Sequence, residues 1–182
     1  MRSTRALALI LAALSAVTSS TVHAEPNLVV IVRHAERGTE PADDPALTPD
    51  GERRAAALTS ALASANITSI ITTQYRRTRD TAAPVAKALG IEPTVVRAER
   101  GEGAAHIREL AAAVHRQTGN VLVVGHSDTV SALVAALKGP ALPRLCDTSF
   151  DPIFVLTASD PKHSFLQLRY GAPSATPAAG CL

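Results

Sequence analysis

The sequence predicts an α/β fold, a three-layer α/β/α sandwich on a mostly parallel sheet, and three observations support it. Short runs rich in valine and isoleucine, at 28–32, 69–72, 94–96 and 121–124, alternate with longer segments of helical period, the pattern of βαβ units. The runs are apolar without interruption, as strands covered on both faces require. Gly90, Gly119 and Gly139 follow the helical segments, where a left-handed residue ends a helix.

The elements follow in order. After the first strand, Thr48 is placed to cap a helix with Pro49 at its first position, Leu58 and Leu62 facing inward. Three later stripes repeat as i, i+3, i+4, i+7: Ala82, Val85, Ala86 and Leu89; then Ile107, Leu110, Ala111 and Val114; then Val130, Leu133, Val134 and Leu137. Beyond Pro140 the pattern changes. Runs at 153–156 and 165–170 suggest two more strands, joined through Ser159-Asp160-Pro161 and extending the sheet at one edge.

Residues 1–24 read as an export signal: Arg2 and Arg5, an apolar run at 6–17, and the small-residue site Val22-His23-Ala24. That run is about 12 residues, short of the roughly 20 needed to span a bilayer. We expect a periplasmic or secreted protein with no membrane insertion after cleavage. Removing the signal leaves 158 of 182 residues, read as one domain over 25–170 and a Pro/Ala/Gly-rich tail over 171–182. The formal net charge of +2 belongs to Arg2 and Arg5, so the mature chain is neutral and gives no reason to expect a nucleic-acid partner. Cys146 and Cys181 fit a disulfide tying the tail to the body better than a metal or redox pair.

Four residues stand out by position. Arg33 and His34 follow the first strand, Arg77 opens the helix after the second, and His126 follows the fourth. In open α/β sheets the carboxyl ends of the strands form the ligand crevice, so these distant residues can share one site. Helices starting near Arg76 and Asp128 would aim free N–H groups at it, and guanidinium forks grip two phosphate oxygens at once.

The segments Val32-Arg33-His34-Ala35-Glu36, Leu47-Thr48-Pro49-Asp50-Gly51, Arg77-Thr78-Arg79-Asp80-Thr81-Ala82 and Val124-Gly125-His126-Ser127 resemble, in order, the motifs of the histidine phosphatase superfamily, also called phosphoglycerate mutase-like. The resemblance runs over about 28–139 and is closest to a short periplasmic bacterial branch. Ala35 departs from the common Arg-His-Gly pattern. The resemblance implies that His34 becomes phosphorylated while Arg33, Arg77 and His126 surround the phosphoryl group. Arg77, rather than Arg76 or Arg79, fits the motif because it lies four residues before Thr81.

The implied activity is a phosphomonoesterase acting on a small phosphorylated substrate, with neither metal nor cofactor. Positioned cations supply most of what a loose phosphoryl-transfer transition state needs. A leaving alkoxide needs a proton, and the candidate donors are Glu99, Glu102 and Asp128, with the resemblance favouring the two glutamates. The chain lacks room for a large insertion over the site, so an open pocket is expected, which suits hydrolysis better than a phosphomutase. A phosphate- or phosphosugar-binding protein without turnover is the other alternative. His34-Ala35-Glu36 has the H-x-E form of zinc deaminases, but P-C-x-x-C and H-E-x-x-H are both absent. His106, His115 and His163 read as surface residues, Arg53-Arg54 as a solvated helix face, and Glu36 as a surface acid or a partner for an arginine.

Overall fold

The structure is a computed structural model that describes residues 26–157 and 165–182. The export signal and the Ser159-Asp160-Pro161 connection lie outside the described residues. In chain order the elements are β1 (Leu28–Arg33), α1 (Pro49–Ala61), β2 (Ile67–Thr72), α2 (Arg76–Leu89), β3 (Thr94–Val95), α3 (Gly103–His115), β4 (Asn120–Gly125), α4 (Val130–Ala136), β5 (Pro152–Thr157) and β6 (Phe165–Arg169). They form one mixed sheet in the order β3-β2-β4-β1-β5-β6. Pairs β2/β3, β2/β4 and β1/β4 are parallel, whereas β1/β5 and β5/β6 are antiparallel. The last two strands therefore extend the sheet at an edge, as expected.

Strand alternation builds both interfaces of the sandwich. Val29, Ile31, Val121 and Val123 pack with Leu110, Val114, Leu133 and Val134 of α3 and α4. Val30, Val32, Ile70, Leu122 and Val124 pack with Leu58 of α1 and with Ala82 and Val85 of α2 on the other face. Central strands buried on both sides explain the unbroken apolar runs. Among the described residues, no helix is long and apolar enough to cross a membrane.

Capping follows the sequence at α1 and α2, whereas α3 ends on Arg116 at φ −80° and left-handed Gly119 lies three residues beyond that cap. Thr48 accepts the Gly51 N–H at 3.1 Å, and Gly90 ends α2 at φ +66°. After α4, however, the left-handed residue is Lys138 at φ +65° rather than Gly139. Gly139 is needed for space, since a Cβ there would lie 2.7 Å from Val134 Cγ1 and 2.9 Å from Leu156 Cδ2. Leu89, placed on the inward stripe of α2, is exposed.

Cys146 and Cys181 form a disulfide, so the tail is tied to the body. Arg54 corrects the expectation of a solvated face. It is buried, and its Nε and Nη2 donate to the Glu36 carboxylate at 2.7 to 2.9 Å while Nη1 donates to Tyr170 O at 3.1 Å. Glu36 is thereby an arginine partner. Arg53 does face solvent, paired with Asp50.

Candidate active site

The carboxyl ends of β1 and β4, with the start of α2, open onto a cleft of about 1020 Å³. Arg33, His34, Arg77 and His126 all line it, together with Glu99 and Asp128. The parallel register explains the meeting: Arg33 pairs with Gly125 across β1 and β4, and the His34 N–H donates to Gly125 O at 2.9 Å. One step beyond each strand, the two histidines face each other edge-on with ring centroids 5.5 Å apart.

The motif spacings have local causes. Thr81 lies one turn after Arg77, and its hydroxyl donates to Arg77 O at 2.6 Å while accepting the Ala35 N–H at 2.8 Å. One threonine thus fastens the first turn of α2 to the backbone beside His34. Gly51 is required by close approach, because a Cβ there would lie 2.1 Å from Glu36 O. The Thr48 N–H also donates to that carbonyl at 2.9 Å, so the Leu47–Gly51 segment docks α1 against the loop after β1.

Hydrogen bonds assign the ring protons. His34 Nδ1 lies 2.7 Å from Ala35 O, which can only accept, so Nδ1 carries the hydrogen and Nε2 keeps its lone pair. Arg77 Nε donates to His126 Nδ1 at 3.3 Å, which puts the single ring N–H of His126 on Nε2, donating to Thr73 Oγ1 at 3.1 Å. Both rings are neutral at ordinary pH. Burial, opposed by the Ala35 hydrogen bond and reinforced by Arg33, lowers His34 to about 2. Burial and then Arg77 lower His126 to about 3.

The arginines carry charge without a carboxylate clamp. Arg33 Nη1 donates to the carbonyls of Cys146, Asp147 and Ser149 at 2.9, 3.0 and 3.0 Å, its Nε is buried without a partner, and burial lowers it to about 10. It stays cationic at neutral pH. Arg77 is lowered by burial first and by Arg37 second, with Asp44 3.9 Å from its Nη1.

Sequence reasoning missed two residues here. Arg37 lines the cleft, and its charge depresses Arg33, Arg77 and His126 alike. Its position four residues after Arg33 was the available signal. His106 was placed on the surface but is 3 % exposed, lines the cleft, and bonds Arg97 O at 3.0 Å through Nδ1. The buried side of α3 is Leu110, Ala113, Val114 and His106 itself, a stripe hidden by assigning only apolar residues to it. Of the carboxylates, Glu102 precedes α3 outside the cleft lining, so the structure does not gather it with the other candidates. Among the described residues no His, Cys, Asp and Glu side chains group as a metal-ligand set.

The profile of the histidine phosphatase superfamily (branch 1) matches residues 29–100, the span holding Arg33, His34 and Arg77. Over that span the chain is similar to the histidine phosphatase superfamily. No curated protein shows significant sequence similarity to it. Solved structures share the histidine phosphatase fold at low identity. The protein histidine phosphatase SixA complexed with tungstate superposes with a TM-score of 0.59 at 21% identity, covering 80% of this chain and 97% of that one. A mycobacterial glucosyl-3-phosphoglycerate phosphatase complexed with inorganic phosphate gives 0.55 at 18%, covering 82% and 98%. A candidate phosphohistidine phosphatase SixA from Nakamurella multipartitia gives 0.54 at 24%, covering 82% and 97%.

Proposed function

We propose that this protein is a metal-independent phosphomonoesterase that works through a covalent phosphohistidine on His34. The observation that carries the reading is a neutral His34 whose Nδ1 hydrogen bond leaves the lone pair on Nε2, in a cleft that Arg33, Arg77 and His126 also line. The names of the structural relatives, a protein histidine phosphatase and a glucosyl-3-phosphoglycerate phosphatase, support phosphate esters or phosphoramidates as substrates.

In the first step the Nε2 lone pair attacks phosphorus in line, an N–P bond forms, and the P–O bond to the leaving group breaks. Arg33 and Arg77 hold the equatorial oxygens, and Arg37 adds charge from the rim. His126 fixes Arg77 through the Nε to Nδ1 bond. The leaving oxygen takes a proton from a protonated cleft carboxyl group, which becomes a carboxylate. Asp128 is the best placed, since its charge reaches both Arg33 and Arg77, whereas Glu99 pairs with Arg97 at 3.2 Å. Water then attacks phosphorus, the N–P bond breaks, and the carboxylate recovers a proton from that water.

The wide cleft supports hydrolysis over phosphoryl shuttling, because water can reach the phosphoenzyme. Residues 1–24 support export to the periplasm or beyond. The test is hydrolysis of p-nitrophenyl phosphate by the mature protein with EDTA or vanadate, beside His34→Ala. Turnover that survives EDTA and is lost with vanadate and in the variant is expected. Loss with EDTA overturns metal independence, phosphate binding without turnover makes the protein a binding module, and transfer between two positions of one substrate makes it a mutase.

A further inference from the structure

Arg33 is held by a stretch of backbone that belongs to no helix or strand. The three carbonyls on its Nη1 come from Cys146, Asp147 and Ser149, and the ring of Phe150 stacks over its guanidinium at 4.0 Å. Irregular backbone keeps such a geometry only if something else fixes it. Leu145 supplies one anchor: it is buried in the core, and its N–H donates to Ser127 O at 3.2 Å.

The other anchors come from residues 174–182. At one end the Cys146 N–H donates to Leu182 O at 2.7 Å, the Leu182 N–H donates to Arg144 O at 3.0 Å, and the Cys146–Cys181 disulfide makes the link covalent. At the other end Ser174 Oγ accepts the N–H groups of Phe150 at 2.8 Å and of Asp151 at 3.0 Å. The carbonyls that grip Arg33 lie between these two fastenings.

We propose that residues 174–182 are a strap that positions Arg33 for the phosphoryl group, with Ser174 and the Cys146–Cys181 bridge as its two attachment points. The proposal rests on the reading of the cleft as a phosphoryl site. A guanidinium whose Nη1 hydrogens are taken by the scaffold presents its remaining edge in one orientation. A shift of about 1 Å in such a group can cost on the order of 100-fold in rate. Ser174 never meets the substrate and acts through Phe150 and Arg33.

The test compares the mature chain with Ser174→Ala, Ser174→Thr and the double variant Cys146→Ser/Cys181→Ser. Vanadate and inorganic phosphate binding by calorimetry, kcat and KM for p-nitrophenyl phosphate, and Tm are read at one pH. Ser174→Ala is expected to weaken vanadate binding severalfold and the double variant by about tenfold or more, with kcat falling further than KM rises and Ser174→Thr restoring both. Lowered Tm with unchanged anion binding and kcat would mean that the strap is only a staple, and the proposal is wrong. If the double variant does not fold, the Ser174 pair decides alone. Wild-type protein that binds neither anion sinks the phosphoryl reading and the strap together, whereas wild-type binding that is indifferent to Ser174 sinks only the strap.

Discussion

Arg33 and Arg54 are both buried guanidinium groups beside an aromatic ring, 6 % and 4 % exposed, and the fold treats them in opposite ways. Burial alone would lower Arg54, but three hydrogen bonds to the Glu36 carboxylate outweigh it and the pKa is raised. Arg33 hydrogen-bonds only to carbonyls and keeps an unpaired Nε, and burial lowers it to about 10 although the charges of Asp147, Glu36 and Asp128 oppose the shift. One charge is paired with a carboxylate inside the protein, and the other is offered to the cleft, where the proposed function places a phosphoryl group. Buried charge needs a partner. Among the described residues no carboxylate forms an ion pair with Arg33, and two neutral histidines line the same cleft, which is the contrast that the proposed phosphoryl site rests on.

The largest effect that sharpens this contrast is His34→Ala, expected to lower kcat by on the order of 10⁴-fold in steady-state assays. The same variant should still bind vanadate, because Arg33 and Arg77 remain. A variant that turns over normally would leave the uncompensated charges without a reaction to serve.

Arg54→Met tests the other half. Removing one partner of a buried pair costs about 3–5 kcal/mol. Glu36 is partly exposed, so the lower end is expected in urea unfolding at pH 7, with kcat per folded molecule little changed. A large loss of kcat without loss of stability would break the division between the two arginines.

What was legible in the sequence divides along the same line. The sheet, the four site residues and their meeting place could be read because each sits at a strand end or first helical turn, where topology sets position. Arg54 could not, because its partners lie 18 and 116 residues away and nothing in its helix announces them. His106 was lost for a related reason, a polar residue on a buried stripe being invisible to apolar periodicity. The resemblance favoured Glu99 and Glu102 as proton donors, whereas the charge of Asp128, on the turn after β4, acts on both Arg33 and Arg77, a placement set by three-dimensional path rather than by motif. The disulfide was legible from the count of two cysteines and the expectation of export, whereas the backbone carbonyls beside it that hold Arg33 were not.

Asp128→Asn should have the next effect, about 100-fold in kcat on alkyl phosphates and much less on p-nitrophenyl phosphate, whose leaving group needs no proton. Equal losses on both substrates would turn Asp128 into an electrostatic support for the arginines. Glu99→Gln under the same assay is the control, and a larger effect there would move the donor role to the loop after β3.

The pH dependence of stability follows from the histidines. Their folded pKa values, about 2 for His34 and about 3 for His126, lie below the ordinary 6.5, so the unfolded chain binds more protons between these limits. Stability is therefore fullest above about pH 6.5 and falls as pH drops toward 3, by at most about 1.4 kcal/mol per unit for each ring. Chemical denaturation at pH 7, 6 and 5 should show this slope and its reduction in His34→Asn/His126→Asn. Asp151, lowered through Arg169 and Ser174 despite burial, acts in the same direction, but below its ordinary 3.8. Saturating phosphate should flatten the wild-type slope, because a bound anion favours the protonated rings.

The smallest effect is the sharpest control. Arg53 neighbours Arg54 in sequence and also pairs with a carboxylate, yet its side chain and that of Asp50 are 71% and 73% exposed. In water such a pair gains little Coulomb energy and loses side-chain freedom. Arg53→Ala should change unfolding free energy by less than about 0.5 kcal/mol, and increasing salt should erase even that. If Arg53→Ala instead approached Arg54→Met, burial would not be what separates the two neighbours. The inference from Arg33's missing carboxylate to a ligand would then lose its footing, because it treats desolvation as what makes an unpaired guanidinium costly.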